Sequence, residues 1–219
     1  MTSPRFRVRA LFERAPDALA SRDTVVVRQV GGLDEAARER AASAAWYWPE
    51  AAEVLTGLGH GVEIALREPP EDDLEHAVAL TKAAAELGRP LGARAYVWEA
   101  TGLAHDADAF VDQASDATEE DLPLYLWIGF EAREDEPGAL SVLTRGMGSF
   151  ERPEVEVDRS ARELEEVLEV VTDAALYVLT ASTALDAGET LEVTRGKVRV
   201  REMPSLRNDG TRALRLRLP

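Results

Sequence analysis

The alternation of apolar and polar residues predicts four strands in the first hundred positions. Basic and apolar residues alternate at 5–13, which is the period-two pattern of a strand with one buried face. A run of β-branched residues at 23–30 predicts a second strand, because such side chains pack well on a pleated sheet. The segments 60–67 and 92–100 predict two more. We therefore expect this half of the chain to contribute several strands to a sheet.

Helical periodicity fills the gaps between these strands. The segments 33–46 and 48–57 predict two helices, and 71–88 predicts a third whose apolar residues recur every three or four positions. By contrast, residues 101–121 are small and acidic, which predicts a loop with one short helix near 109–113. Because boundaries within a chain fall in exposed polar segments, we expect two lobes to meet in this loop.

The second half begins with a nearly continuous apolar segment at 122–132, which predicts a central strand covered on both faces. The segment 138–146 predicts its hairpin partner. A long helix is predicted at 160–180, because Ser160 and Glu163 form a capping-box pattern and apolar residues follow at helical spacing. Four short strands complete the prediction, at 154–157, 189–193, 197–202 and 211–218.

Together these elements predict an α+β fold, because strands and helices do not alternate strictly. We expect a mainly antiparallel sheet with helices packed on it. At 219 residues the chain is long enough for one large domain or for two small lobes that share a core. The prediction is a single domain, 1–219, with two lobes that share one architecture, near 1–118 and 119–219, joined through that sheet.

The composition is that of a folded protein, with 45% hydrophobic and 30% charged residues. The chain has no cysteine, which excludes disulfides, thiolate metal sites and a cysteine nucleophile. Its N-terminus lacks the apolar core of a signal peptide, and no apolar run approaches the roughly 20 residues that a transmembrane helix needs. We therefore expect a cytoplasmic protein.

The net charge of −16 argues against nucleic acid or an anionic membrane as the main partner, because both carry negative charge. Basic residues concentrate near the end, where the segment 194–219 has eight basic and two acidic residues. The remainder of the chain therefore carries −22. A surplus of this size suits a protein that binds a basic protein partner, whereas abundant surface carboxylates also serve solubility alone.

Residues suited to a catalytic, cofactor or metal site are scarce. The chain has no Walker loop, no Gly-x-Ser-x-Gly turn and no His-Glu-x-x-His motif. Of its three histidines, His60 has no paired ligand on its strand, His76 is predicted to be exposed on a helix, and His105 is predicted to be solvated in the acidic loop. Glu154 and Glu156 share one face of a strand. They could act together in acid–base catalysis or pair with arginines on a neighbouring strand. We expect no catalytic residue, cofactor or metal.

Basic residues alternate with apolar ones on three predicted strands, so each strand places its cations on one face. These cations are Arg5, Arg7, Arg9, Lys197, Arg199, Arg201, Arg215 and Arg217. Like charges that lie directly opposite each other repel. We therefore expect this face to be solvated, interleaved with acidic strands such as 154–156, or covered by an acidic partner or ligand. Arg199 and Arg215 are assigned to binding here.

A second candidate surface is aromatic. Trp46, Tyr47 and Trp48 precede the second predicted helix, and three neighbouring rings cannot all face the core. They form either a packed corner between two helices or a partly exposed anchor for a protein partner. Trp46 and Trp48 are therefore assigned to the partner surface as well.

The segment 143–157 contains the one tight turn that resembles a site. Arg145, Gly146 and Gly148 place a cation beside flexible backbone N–H groups, which suits an anion. The same residues fit an elbow between two strands, with Phe150 buried beneath the turn. Because no helix N-terminus follows immediately to strengthen an anion site, we favour the elbow.

The second half also carries a set of short motifs. They are Leu126-Trp127 in the apolar strand, Thr144-Arg145-Gly146, Phe150 before Glu154-Val155-Glu156, Tyr177-Val178-Leu179 and Gly188-Glu189-Thr190. In this order they resemble an uncharacterised bacterial family that is known only as a domain of unknown function. The family pattern has glycine after the phenylalanine, where this chain has Glu151. We therefore do not expect at Glu151 the left-handed backbone that glycine favours.

The resemblance implies no catalytic residues. Small acidic families of this kind often occur near bacterial toxin genes, so by analogy it implies an immunity role. We predict a non-enzymatic, cytoplasmic, acidic binding protein of a bacterium, in its most specific form an immunity-type inhibitor of a basic protein partner. One alternative is an enzyme or small-ligand binder that holds an anion with Arg145, Gly146 and Gly148. Another is a structural or assembly subunit, which the sequence does not distinguish from a binding protein.

Overall fold

The computed structural model describes residues 5–17, 23–181, 188–207 and 209–218. The chain divides into two compact units, Met1–Trp127 and Ile128–Pro219. Each unit has a sheet of its own, and both sheets are mostly antiparallel, which confirms the predicted α+β class. The sequence instead predicted one sheet that joins both lobes, with the boundary between the lobes after residue 118. The division falls later because the residues up to Trp127 form elements that contact the first unit.

The first unit forms five strands and five helices in its described part. Its strands are β1 (Val8–Phe12), β2 (Val25–Gly31), β3 (His60–Leu66), β4 (Ala95–Trp98) and β5 (Leu103–Asp106). Its helices are α1 (Glu35–Ala44), α2 (Ala51–Gly57), α3 (Asp73–Gly88), α4 (Ala107–Asp116) and α5 (Leu124–Trp127). The sheet order is β2-β3-β1-β4-β5, with every neighbouring pair antiparallel.

The core of this unit lies on both faces of the sheet, since α3 packs on one face and α1 and α2 bury Ala41 and Leu55 with Leu11 on the other. β1 is the central strand, its residues Ala10 and Leu11 are fully buried, and α3 contacts β1 and β3. α3 begins near the predicted residue because the Asp72 carboxylate accepts hydrogen bonds from Leu74 N and Glu75 N at 2.9 and 3.0 Å. The apolar stripe of α3 is therefore buried as predicted, whereas β1, predicted to have one buried face, is buried on both faces from Ala10 to Phe12.

The acidic segment after β4 is more regular than its composition predicts. β5 pairs with β4, and Tyr96 lies opposite His105. α4 begins at a cap, because the Asp106 carboxylate accepts hydrogen bonds from Asp108 N and Ala109 N. The predicted loop is therefore wrong for most of this segment. Its small residues are mainly alanines, which have the highest helix propensity.

The apolar segment 122–132 is not one strand, as predicted, but a helical turn followed by a strand. In α5 the Leu126 N–H donates to Pro123 O at 2.9 Å. Trp127 is buried, and its indole N–H donates to the Thr81 hydroxyl of α3 at 3.0 Å. A continuous apolar run is compatible with a buried helix or a buried strand, so periodicity does not distinguish them.

The second unit forms six strands, one α-helix and one 3-10 helix in its described part. Its strands are β6 (Gly129–Glu136), β7 (Ala139–Arg145), β8 (Glu154–Ser160), β9 (Thr190–Val193), β10 (Gly196–Pro204) and β11 (Arg212–Arg217). Its helices are the 3-10 helix Met147–Phe150 and α6 (Leu164–Thr180). The order is β6-β7-β8-β11-β10-β9, in which β8 and β11 run parallel and the other pairs are antiparallel.

Helix α6 contacts β7, β8 and β9 and buries Val167, Val171 and Val178 against the sheet. It begins after the residue that the capping-box pattern predicts. Ser160 still belongs to β8, and Glu163 stands at the cap position without a side-chain hydrogen bond. The predicted capping box is therefore wrong. None of the described helices is both long and apolar enough to cross a membrane.

Candidate functional site

The turn at 143–157 is an elbow between β7 and β8, as predicted. Phe150 is buried beneath it. Gly146 has a φ of 121°, a backbone that favours glycine, and its N–H donates to the Glu154 carboxylate at 2.9 Å. The Thr144 hydroxyl donates to the same carboxylate at 2.7 Å. A carboxylate of the chain itself thus occupies the N–H that the alternative prediction offers to an external anion.

The other two residues of the predicted anion site, Arg145 and Gly148, contact other parts of the chain. Arg145 is exposed and lies 3.8 Å from the Glu131 carboxylate. Gly148 is exposed, and its carbonyl accepts the Glu151 N–H at 3.1 Å. Glu151 has a φ of 55° and a ψ of 30°, so the left-handed backbone is present without glycine. The expectation from the family pattern is therefore wrong at Glu151, because a turn closed by backbone hydrogen bonds imposes this conformation on glutamate.

The arginines of β10 and β11 face one another in the second unit. In the antiparallel register Arg199 lies opposite Arg217, and Arg201 lies opposite Arg215. β1 lies in the sheet of the first unit, so the three predicted basic strands do not form one face. The structure brings the two predicted residues Arg199 and Arg215 onto one face of one sheet, two positions apart along the ladder.

One acidic residue is interleaved with these cations, as the sequence suggests. Glu156 lies opposite Arg215 in the parallel register of β8 and β11, is 0% exposed, and pairs with Arg215 at 3.3 Å. Its carboxylate also accepts the Ser205 hydroxyl at 2.7 Å and the Leu206 N–H at 3.1 Å. Glu154 and Glu156 are therefore both engaged in hydrogen bonds that fix neighbouring segments, which does not favour acid–base catalysis by this pair.

A cleft of about 480 Å³ opens beside Arg215. The end of β8 and the residues after it form one wall, and β10 and β11 form the other. Its charged lining consists of Arg159, Arg162, Arg201, Arg215, Arg217 and Asp158. This cleft, below called the arginine cleft, was not predicted as a pocket, because its lining comes from segments about 40 to 60 residues apart in the chain.

The aromatic segment of the first unit splits between surface and core. Trp46 is 60% exposed and Tyr47 is 39% exposed, whereas Trp48 is 7% exposed. Trp48 belongs to a core cluster that includes Leu55 and Leu58 of the neighbouring helical segment. Burial removes Trp48 from the predicted partner surface, so of the two assigned tryptophans only Trp46 is exposed. The ring of Trp46 meets the edge of the Tyr47 ring at a centroid distance of 5.8 Å.

Tyr47 is held in place by a histidine that the sequence predicts to be solvated. His105 is buried, and its Nε2 lies 3.1 Å from Leu126 O, which makes Nε2 the donor. Nδ1 then accepts the Tyr47 hydroxyl proton in a short hydrogen bond. Burial lowers the pKa of His105 to about 4, against a smaller opposing effect of the Leu126 hydrogen bond. Burial, and next Asp106, raises the pKa of Tyr47, so both groups are neutral at pH 7.

Acidic residues continue from this aromatic pair along α4. Asp106 caps the helix, and Asp108, Asp112 and Asp116 follow at intervals of four, which places them on one exposed face. Glu119, Glu120 and Asp121 are exposed directly after the helix. None of these residues takes part in an ion pair with the described part of the chain. This surface, together with Trp46 and Tyr47, is below called the acidic surface.

His76 is likewise buried and not exposed as predicted. Its ring meets the Phe6 ring edge-on at a centroid distance of 5.0 Å. Burial is the main cause that lowers its pKa. Among the described residues, no group of three or more histidine, cysteine, aspartate or glutamate side chains is arranged to hold a metal ion.

The fold and these surfaces define an α+β protein with two oppositely charged candidate binding surfaces, one in each unit. Residues 143–217 match the model of a family described as Domain of unknown function (DUF4261). The match confirms the resemblance to an uncharacterised domain-of-unknown-function family; Leu126 and Trp127 lie outside it. No curated protein and no solved structure matches the chain.

Proposed function

We propose that this protein is a non-enzymatic binding protein that takes up a basic protein partner on the acidic surface of its first unit. The observation that carries the proposal is the juxtaposition of an exposed aromatic pair with a row of carboxylates. The Tyr47 hydroxyl donates to His105 Nδ1 and lies 3.2 Å from Ala104 O, both on β5, and Asp106 at the end of β5 caps the acidic helix α4. Trp46 stands beside Tyr47 at this end.

The acids of α4 are unfavourable for the helix itself. Like charges four residues apart destabilise a helix by a few tenths of a kcal/mol per pair, and α4 carries two such pairs among Asp108, Asp112 and Asp116. Carboxylates near a helix C-terminus are also disfavoured by the helix dipole, and Asp116 is the last residue of α4. A cationic partner would relieve both effects. The stability of the helix does not by itself explain why these positions are acidic.

The aromatic pair supplies what charge does not. An exposed tryptophan is the residue type most enriched among the strongest contacts of protein interfaces. Neutral His105 holds Tyr47, against which Trp46 packs edge-on, so the Tyr47 side chain loses little entropy on binding. Negative charge around such an anchor accelerates the encounter with a basic partner. This attraction is strongest at low salt, where it is screened least.

The narrower form of the proposal is an immunity-type inhibitor of a basic bacterial protein acting in the cytoplasm. Its support is the charge profile and the analogy with acidic families near toxin genes. The alternative function, anion binding at Arg145, Gly146 and Gly148, has less support because Glu154 already accepts the Gly146 N–H.

Affinity capture from the native host, quantified by mass spectrometry, tests the proposal. The bait is the full chain, as wild type, as Trp46→Ala, and as the triple variant Asp108→Asn, Asp112→Asn and Asp116→Asn. We expect a protein of high isoelectric point to be captured by the wild type. Its recovery should fall at least tenfold with either variant, and its binding should weaken as salt rises.

Two control baits separate the surface from total charge and total aromatic area. Glu39→Gln, Glu68→Gln and Glu75→Gln remove three exposed acids elsewhere in the first unit. Tyr177→Ala removes an exposed ring in the second unit. Both controls should capture the partner as the wild type does. A basic partner retained equally by the α4 triple variant, or the capture of no basic protein at all, contradicts the proposal.

A further inference from the structure

The arginine cleft has no part in the proposed function, and its lining is positively charged whereas the chain has a net negative charge. The protein has 41 acidic and 25 basic residues, yet among the described residues five arginines and one acid, Asp158, line the cleft. We propose that the arginine cleft binds a small organic phosphate, that is, a phosphate monoester attached to an apolar or ring-shaped group. This ligand is independent of the basic partner, because the two sites lie in different units.

Part of the positive charge in the cleft is neutralised by the chain. Glu156 and Asp158 pair with Arg215 at 3.3 and 3.4 Å, and Glu136 pairs with Arg159 at 3.6 Å. Arg162 is engaged as well, so two of the five lining arginines remain without an ion pair in the described part of the chain. A phosphate monoester carries a charge of about −1.5 to −2 at neutral pH, which fits a surplus of this size.

The surplus is carried by Arg201 and Arg217, which have no ion pair among the described residues. Arg201 lies opposite Arg215, and Arg217 lies opposite Arg199. Like charges directly opposite each other across two strands are destabilising. Arg201 and Arg217 should therefore lower the stability of the ligand-free protein, although both lie at the edge of a cleft. A dianion bound beside Arg201 and Arg217 would be attracted by both cations and would offset their repulsion from the arginines opposite.

The cleft is prepared for a rigid anion with several acceptor oxygens. Arg215 is fixed because it donates to Pro204 O at 2.8 Å and pairs with Glu156, which Ser205 and Leu206 hold in turn. The lining arginines belong to three strands, β8, β10 and β11, and to the segment after β8. A carboxylate accepts one bidentate arginine, whereas a phosphate has three terminal oxygens for several arginines at once. This arrangement favours phosphate over carboxylate.

The cleft is also larger and less polar than a bare phosphate requires. Its volume of about 480 Å³ lies within the range of small-molecule sites. Apolar residues complete its lining, among them Met203 and Leu218, and Met203 is exposed although it is large and apolar. The ligand should therefore carry an apolar or ring-shaped group next to its phosphate.

Isothermal titration of the full chain at low salt tests this proposal with two probe pairs. The pairs are adenosine 5′-monophosphate with adenosine, and phenyl phosphate with phenol. Inorganic phosphate and citrate are titrated alongside. We expect at least one of the two phosphate monoesters to bind more tightly than inorganic phosphate and citrate, and neither adenosine nor phenol to bind. The affinity should fall at least tenfold in the double variant Arg201→Gln and Arg217→Gln.

A matched control removes the same charge from exposed residues of the second unit outside the cleft. Arg195→Gln with Lys197→Gln should bind the phosphate monoester within twofold of the wild type, and circular dichroism should show that both double variants are folded. The proposal is overturned if neither monoester binds at millimolar concentration, if the Arg201 and Arg217 variant binds as the wild type does, or if citrate binds more tightly than both monoesters. None of these outcomes bears on the basic partner, which the first unit would still bind.

Discussion

The same pattern of alternating arginines has opposite surroundings in the two units. In the first unit each arginine of the β1 segment pairs with a carboxylate, since Arg5 pairs with Asp73, Arg7 with Glu63 and Arg9 with Glu99. In the second unit the arginines of β10 and β11 face each other in register. The spacing of charges within a strand is therefore not informative by itself. Which strand lies next to it determines whether the cations form a neutral ladder or a basic cleft.

Among the substitutions, the largest effect is expected at Glu156, the buried carboxylate that pairs with Arg215 in the second unit. Glu156→Gln leaves half-buried Arg215 with Asp158 as its one remaining carboxylate and should destabilise the protein by about 2–3 kcal/mol. Urea unfolding measures this change. Asp158→Asn, at a more exposed carboxylate, should cost less than about 1 kcal/mol. Equal effects of the two variants would contradict the role given to Glu156.

A pH effect should separate the two units, because all three histidines lie in the first. Burial lowers the pKa of His105 to about 4, so the unfolded chain takes up a proton below its own pKa of about 6.5 while the folded chain does not. Stability should therefore be full above pH 6.5 and fall by up to about 3 kcal/mol as the pH drops to 4. Urea unfolding between pH 7 and 4 measures the loss.

The contribution of His105 to that pH dependence can be isolated with two variants. His105→Gln should be less stable at neutral pH and should lose most of the slope between pH 6.5 and 4. His76, whose pKa burial also lowers, adds a smaller slope of the same sign. His60→Gln changes an exposed residue and should retain the wild-type slope. An unchanged slope in His105→Gln would show that carboxylates alone cause the acid sensitivity.

A smaller effect is expected when the neutral ladder of β1 loses a carboxylate. Glu63 pairs with Arg7 at 3.4 Å and with Arg28 at 3.0 Å, and the two arginines are partly exposed. Glu63→Gln should destabilise the protein by about 1 kcal/mol, because it leaves two cations close together on adjacent strands. The loss should shrink in high salt, and a loss as large as that of Glu156→Gln would contradict the comparison.

The smallest effect should have the opposite sign. Arg201→Gln removes a like charge opposite Arg215, so the ligand-free protein should gain a few tenths of a kcal/mol. Arg7→Gln, a matched change on the neutral ladder, should cost a similar amount instead, because it removes an attractive pair with Glu63. Thermal unfolding at low salt resolves this difference in sign. Two losses of equal size would mean that the arginines of β10 are not under repulsion.

Much of the fold follows from local patterns in the sequence. The strands at 23–30 and 60–67 and the helix at 71–88 are found close to their predicted bounds, because each has a clear period of two or of three to four residues. The turn with Gly146 and Phe150 is also the predicted elbow. The misses fall where the local pattern is ambiguous. A continuous apolar run conceals the turn of α5, and an alanine-rich acidic segment conceals α4.

The candidate surfaces were predictable only in part. Trp46 and the arginines of β10 and β11 can be selected from the sequence, because exposed aromatic and alternating basic residues are visible there. The burial of Trp48 and His105 cannot, since it depends on which segments pack over them. The acidic row on α4 becomes visible only once 107–116 is known to be helical, since only a helix brings residues four apart together.

By itself the sequence determined the α+β class, the acidic net charge, the lack of thiol chemistry and the positions of most strands and helices. These properties depend on composition and on periodicity over a few residues. The tertiary structure decided which charges meet. It placed Glu154 on the Gly146 N–H, Glu156 against Arg215, and Arg201 at the edge of a cleft, because strand order and register bring together residues that are distant in the chain.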